Sequence, residues 1–202
     1  MPISLPPKLG LVRCNFGLET NTQTYTSPLT RNTQRAILAG SRWIMTATIR
    51  RMRKDDQLAR NWIAFFLKCQ GMGESFYAYD PDRKGSKGLQ GGTPLVNGSF
   101  QSGTTLAIDG CTANVTGWAR AGDYFSANGE LKQLTADVNT NGSGQATLNF
   151  MPAWRGSPTD NSAVNFTNPT CTMILVDDRQ GMWDADVMGV YEEKTFSAME
   201  VF

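Results

Sequence analysis

The chain has 202 residues, forty per cent of them apolar, and sets 19 basic side chains against 18 acidic ones for a net charge of +1. That content is enough to bury a full core, as one large domain or as a domain carrying a smaller insertion. The charge balance excludes an overall field that would draw the protein to nucleic acid, and no stretch approaches the roughly 20 apolar residues of a membrane span. The start, MPISLPPKLGLV, has neither a charged n-region nor a long apolar h-region, so insertion or export by an ordinary signal peptide is not expected.

Extended stretches and turn signals fill the first fifty residues. TYTSPLTRNTQRAIL predicts two short strands split at Ser27-Pro28, where proline removes a ladder donor. Gly40 marks the next turn. In SRWIMTATIR, Trp43, Met45, Ala47 and Ile49 fall on one face of a strand, with Thr46, Thr48 and Arg50 largely on the other, which predicts a half-buried strand. Between Asp55 and Cys69 the period changes. Leu58, Trp62, Phe65, Phe66 and Cys69 recur every three or four residues, with Asp55 or Asp56 placed to cap the start and Gly71 placed to end the helix. Such an aromatic stripe on a lone helix beside strands is expected to cover one face of a sheet.

ESFYAYDPD then predicts a short aromatic strand closed by Asp80-Pro81, and DRKGSKGLQGG an exposed loop at a domain boundary. Its glycines do not follow the phosphate-loop pattern. From 93 to 168 short alternating strands and dense turns replace any helical period. Asn128-Gly129 is the two-residue signal of a type I′ hairpin, and Asn141-Gly142 predicts a second. This stretch is read as a small all-β module, a barrel or a two-sheet sandwich, inserted between residues 1–92 and 169–202 of another domain. CTMILVDD and TFSAMEVF are strands again, and the last is expected to be paired in a sheet. The predicted fold class is therefore mainly β with one amphipathic helix: a discontinuous β-sandwich with an inserted all-β module.

The chain contains no histidine, which removes Ser-His-Asp and Cys-His catalysis. Asp55-Asp56, Asp177-Asp178 and Glu192-Glu193 are the visible carboxylate pairs, but neighbours on a strand point to opposite faces and do not thereby share a site. Capping and solvated turns account for them, so no catalytic residue is assigned. Cys14, Cys69, Cys111 and Cys171 are far apart in sequence and form no metal-binding spacing, so they are read as buried thiols, and neither metal nor cofactor is expected. Arg50, Arg51 and Arg53, in the one local basic run, and Lys84 and Lys87 in the glycine loop are candidate oligomer contacts. Trp118, Tyr124 and Trp154 are candidate sugar-stacking platforms, weighed against the plainer reading of core aromatics.

The order of these features carries a resemblance. Ser27, Pro28 and Leu29, then Arg42 and Trp43, then the amphipathic helix, then Gly71, Phe76, Asp80 and Pro81 resemble the N-terminal hub of distal tail (baseplate hub) proteins of long-tailed bacteriophages. The 93–168 module and the ending at Phe196, Ser197, Ala198, Glu200, Val201 and Phe202 are similar to that family as well. The resemblance implies a non-enzymatic virion component made in the bacterial host cytoplasm. It also implies a β-sandwich hub that closes with copies of itself into a six-fold ring between the tail-tube protein and the tail-tip hub proteins. A tail-tube or head-to-tail joining subunit and a carbohydrate-recognition module for host attachment are the alternatives.

Overall fold

Strands dominate the chain, because its apolar residues mostly alternate and its turns are dense in glycine and asparagine. The computed structural model describes residues 2–7, 9–83 and 86–202. In chain order its elements are β1 (Ile3–Ser4), β2 (Leu11–Glu19), β3 (Thr22–Thr26), β4 (Thr33–Ile37), β5 (Arg42–Ile49), β6 (Met52–Arg53), the helix α1 (Gln57–Cys69), β7 (Phe76–Ala78), β8 (Gly92–Val96), β9 (Thr105–Cys111), β10 (Tyr124–Ala127), β11 (Glu130–Leu134), β12 (Ala146–Met151), β13 (Cys171–Leu175), β14 (Val190–Tyr191) and β15 (Lys194–Glu200). A 3-10 turn spans Asp178–Gly181. The protein is thus mainly β with a single α-helix among the described residues.

Two compact units divide the chain. One comprises Met1–Leu5 and Phe76–Thr172, the other Pro6–Ser75 and Met173–Phe202. The inserted unit therefore takes in β7 and the glycine loop in addition to the 93–168 stretch, and its later boundary falls inside β13.

In the unit of Pro6–Ser75 and Met173–Phe202, β13, β15, β5 and β2 lie side by side and antiparallel. The predicted alternation in β5 is observed: Trp43, Met45, Ala47 and Ile49 are buried. On the other face Thr46 meets Ser197 at 3.1 Å and Thr48 meets Thr195 at 2.9 Å, hydroxyl pairs suited to a wet surface. The helix supplies the cover. Asp56 caps it by accepting from Leu58 N at 2.9 Å, and Gln70 ends it in the left-handed region. Trp62, Phe65, Phe66 and Cys69 are buried, and the rings of Trp62 and Phe66 lie 5.4 and 5.6 Å from that of Phe196 on β15. Trp62 Nε1 also donates to the Leu9 carbonyl at 2.8 Å, so the largest ring of the stripe satisfies its polar atom.

In the inserted unit β10, β11, β12, β9 and β8 form one antiparallel sheet. Residues 163–165 close it: Leu95 of β8 bridges Ala163 while Ser126 of β10 bridges Asn165. The two sheet edges are thereby bridged through a single short segment, which closes the sheet into a small barrel. Val96, Leu106, Ile108, Trp118, Phe125, Leu148, Phe150 and Phe166 fill its core. Asn128 and Gly129 both have positive φ between β10 and β11, the type I′ turn their sequence predicts. Asn141-Gly142 differs. The turn there runs to Gln145, with the Asn141 side chain accepting from Ser143 N and Gln145 N and Gly144 taking the left-handed position. Asparagine's own oxygen closes this turn in place of a two-residue hairpin.

Candidate assembly surface

Beyond the Glu19↔Arg42 pair that ends the β2–β5 ladder, the same two lengths of chain continue as β3 and β4. Leu38 N donates to Asn21 O at 2.8 Å between the two ladders, and Thr26 Oγ1 meets Thr33 Oγ1 at 3.1 Å near the far end. The tip is the turn around Ser27-Pro28 that the sequence marks, held by Ser27 N to Asn32 O and Arg31 N to Ser27 O. Every residue of β3 and β4 is exposed. Tyr25, Leu29 and Ile37 show 65, 93 and 84% of their surface to solvent. Two-stranded ribbons are marginal alone in water, and large apolar side chains along one have no packing reason inside the monomer.

Residues 176–193 form a lobe between β13 and β15 that returns to the same sheet at Lys194, opposite Ile49 and away from the ribbon. It carries six carboxylates and one arginine. Val187, Met188 and Met182 are exposed on it. Arg51 reaches into this lobe, 3.1 Å from Asp186 and 2.9 Å from Glu192, and Arg50 lies 3.5 Å from Asp56. Two of the candidate contact arginines are thus engaged within the chain. Arg53 lies on β6, paired with Val190, and is exposed. Lys87 is exposed, with its backbone N–H 2.7 Å from Asp123 Oδ1, whereas Lys84 lies outside the described residues.

The sugar-stacking expectation is corrected for both tryptophans. Trp118 is 1% exposed, with its ring edge against Phe166 and Nε1 donating to Gly91 O at 3.1 Å. Trp154 is buried against Phe125 and Phe150, with the Lys132 ammonium 4.6 Å from its ring. A buried ring has no face to offer, and these two face the barrel core. Tyr124 is also buried, yet it lines a cleft of about 450 Å³ together with Tyr79, Asp80, Arg83 and Asn168. Its hydroxyl donates to Asp80 Oδ2 at 3.2 Å. Burial, and next the Asp80 charge, push its ionisation above the ordinary phenol range.

The carboxylate pairs have separate partners. Asp177 accepts from Arg179 N at 2.6 Å and caps the 3-10 turn, while Asp178 accepts from Met72 N at 2.9 Å just past the helix. Burial, reinforced by Glu74 for Cys69 and by Asp109 for Cys111, pushes both thiols up to about 11. No group of three or more metal-ligating side chains occurs among the described residues. Nor is any helix there long and apolar enough to cross a membrane.

Fold and surfaces together define a mainly β protein of two units, an inserted closed barrel and a helix-covered sheet that extends an exposed ribbon. No protein-family model matches the chain, and no curated protein matches it in sequence.

Proposed function

We propose that the chain is a structural subunit of a bacteriophage tail: a distal tail (baseplate hub) protein that closes with copies of itself into a six-fold ring and joins the tail tube to the tip. The observation that carries this reading is the ribbon, a regular element exposed on both faces and set with apolar side chains that the monomer leaves in water. Ring subunits gain stability by handing such elements to neighbours. The order of the Ser-Pro-Leu element, the Arg-Trp strand, the helix and the Asp-Pro strand supports the same reading. A tail-tube or head-to-tail joining subunit is the nearest alternative and uses the ribbon in the same way.

The test is to image purified particles carrying a label in the 140–145 turn. Label at the distal end of the tail is the expected result. Label along the tube or at the head-proximal end favours the alternative, and label absent from the tail removes the proposal.

Carbohydrate recognition is favoured by one observation, the Tyr79–Asp80–Arg83–Tyr124 cleft of the barrel unit. Glycan binding lost on Arg83→Ala would support it. Failure to bind any host glycan would retire it.

A further inference from the structure

We infer that the ribbon of one copy docks on the acidic lobe of the next, with Arg31 and Arg35 facing Asp184 and Glu193 around an apolar contact between Leu29 and Ile37 and the Met182, Val187 and Met188 side chains. This rests on the ring reading and gives it a polarity and a partner surface.

Charge is the first argument. Residues 20–41 contain two arginines and no acid, while residues 176–193 carry six carboxylates against one arginine. Most groups of the lobe are already engaged. Asp177 and Asp178 bind backbone N–H groups, and Asp186 and Glu192 take Arg51. Of the basic residues around it, Lys194 is held by the Met182 carbonyl, and Arg53 and Lys54 lie on the β6 side near Met188 and Gly189. Asp184 and Glu193 remain exposed, without hydrogen-bonded or ionic side-chain partners among the described residues. They are kept near each other by Glu192 N donating to Asp184 O at 3.1 Å and by the Ala185↔Tyr191 bridge. Arg31 and Arg35 are exposed and unpaired in the same sense.

Register is the second. Arg35 and Ile37 pair with Thr24 and Thr22, which puts both on one face of the ribbon, and Leu29 and Arg31 lie in the tip. The ribbon leaves the sheet where Arg42 meets Glu19, whereas the lobe leaves β13 at Leu175, opposite Ala198, and its Asp184–Glu193 part returns to the sheet at Lys194, opposite Ile49. Seven residue steps along β5 separate these ends by about 23 Å. A ribbon that runs outward from the Arg42 end points away from the Asp184–Glu193 part of the lobe, which sits by Ile49. The complementary surfaces are therefore satisfied only between copies, in a head-to-tail contact of the kind that closes a ring.

The test uses the full chain and two double reversals, Arg31→Glu with Arg35→Glu and Asp184→Lys with Glu193→Lys. All four residues are exposed, and circular dichroism checks that each protein keeps its fold. Mass in solution is measured by sedimentation across a concentration series. Wild type should assemble. Each reversed protein alone should need at least about tenfold more protein, since like charges then face each other. An equal mixture should regain the wild-type midpoint, because each reversed ribbon then meets an opposite lobe. If a reversed protein misfolds, the milder Arg31→Gln with Arg35→Gln carries the same expectation of weakened assembly. Assembly unaffected by reversal, or a mixture that fails to recover, overturns the docking surface and leaves the ring reading standing. A wild-type chain that stays monomeric overturns both docking and self-assembly, while tail location stays with the particle label.

Discussion

Lys132 sits in the barrel unit with none of its surface exposed, its ammonium 2.6 Å from Glu130 Oε2, 3.0 Å from Ala153 O and 4.6 Å from the Trp154 ring centroid. Lys132→Met keeps the length and apolar stem but removes the charge from a site that water does not reach. Breaking a buried pair from one side costs about 3–5 kcal/mol, because the remaining ion is left uncompensated. Glu130 is 13% exposed and keeps Arg155 Nη1 at 3.8 Å and the Gly156 N–H at 3.3 Å, so the lower end of that range, about 3 kcal/mol, applies. For a unit of this size each kcal/mol lowers the melting temperature by roughly 4–8 °C. Removing both charges, with Glu130→Leu added, should restore stability to within about 1 kcal/mol of wild type, since neither ion then needs a partner. Urea unfolding followed by tryptophan fluorescence measures both proteins. A single variant within about 0.5 kcal/mol of wild type, or a double variant no better than the single, would refute this account of the buried charge.

Gly71→Ala should lower stability by roughly 2–3 kcal/mol in the same assay, because φ is +66° and an added Cβ would lie 2.4 Å from Asp178 Oδ1 and 2.9 Å from its Cα; an unchanged midpoint would contradict the close approach. Asp137 is held below the ordinary carboxylate range first by the Ala121 N–H and then by Arg120. A carboxyl lowered on folding adds stability at neutral pH that is lost as pH falls through its folded value, so Asp137→Asn should flatten the acid side of a stability-against-pH curve. With thiols near 11, only about one in a thousand of the Cys69 or Cys111 side chains is ionised at pH 8. Alkylation at these positions, followed by peptide mass, should be slow in the native protein and fast in denaturant; rapid native labelling would show that they are not shut in.

How much of this was legible in the sequence depends on how local each feature is. The Trp43–Ile49 strand, the helix capped by Asp55 or Asp56 and the Asn128-Gly129 turn are written in adjacent residues, and the structure has all three, with Asp56 as the cap. The two strands around Ser27-Pro28 were equally plain. Their exposure was not, although polar residues dominate both faces of Thr22–Thr26. The tryptophans show the opposite failure, since an aromatic in a turn-rich stretch reads alike whether it faces solvent or, like Trp118, the core. Barrel closure rests on single bridges at Ala163 and Asn165, too short to leave an alternating pattern. The earlier unit boundary includes β1, a two-residue strand that pairs in parallel with β7 across more than seventy residues of chain, and no local signal announces such a pairing.

The ribbon is spliced into the sheet by covalent backbone, β3 running on from β2 and β4 running on into β5, and this has a mechanical consequence. A pull on the tip along the ribbon draws β2 and β5 the same way and strains few bonds between them. The load passes instead to the β5–β15 ladder, from Lys194↔Ile49 to Met199↔Ile44, whose hydrogen bonds lie across the pull. They must slide together and cannot be peeled one by one, so a force applied at the tip is shared by the whole ladder.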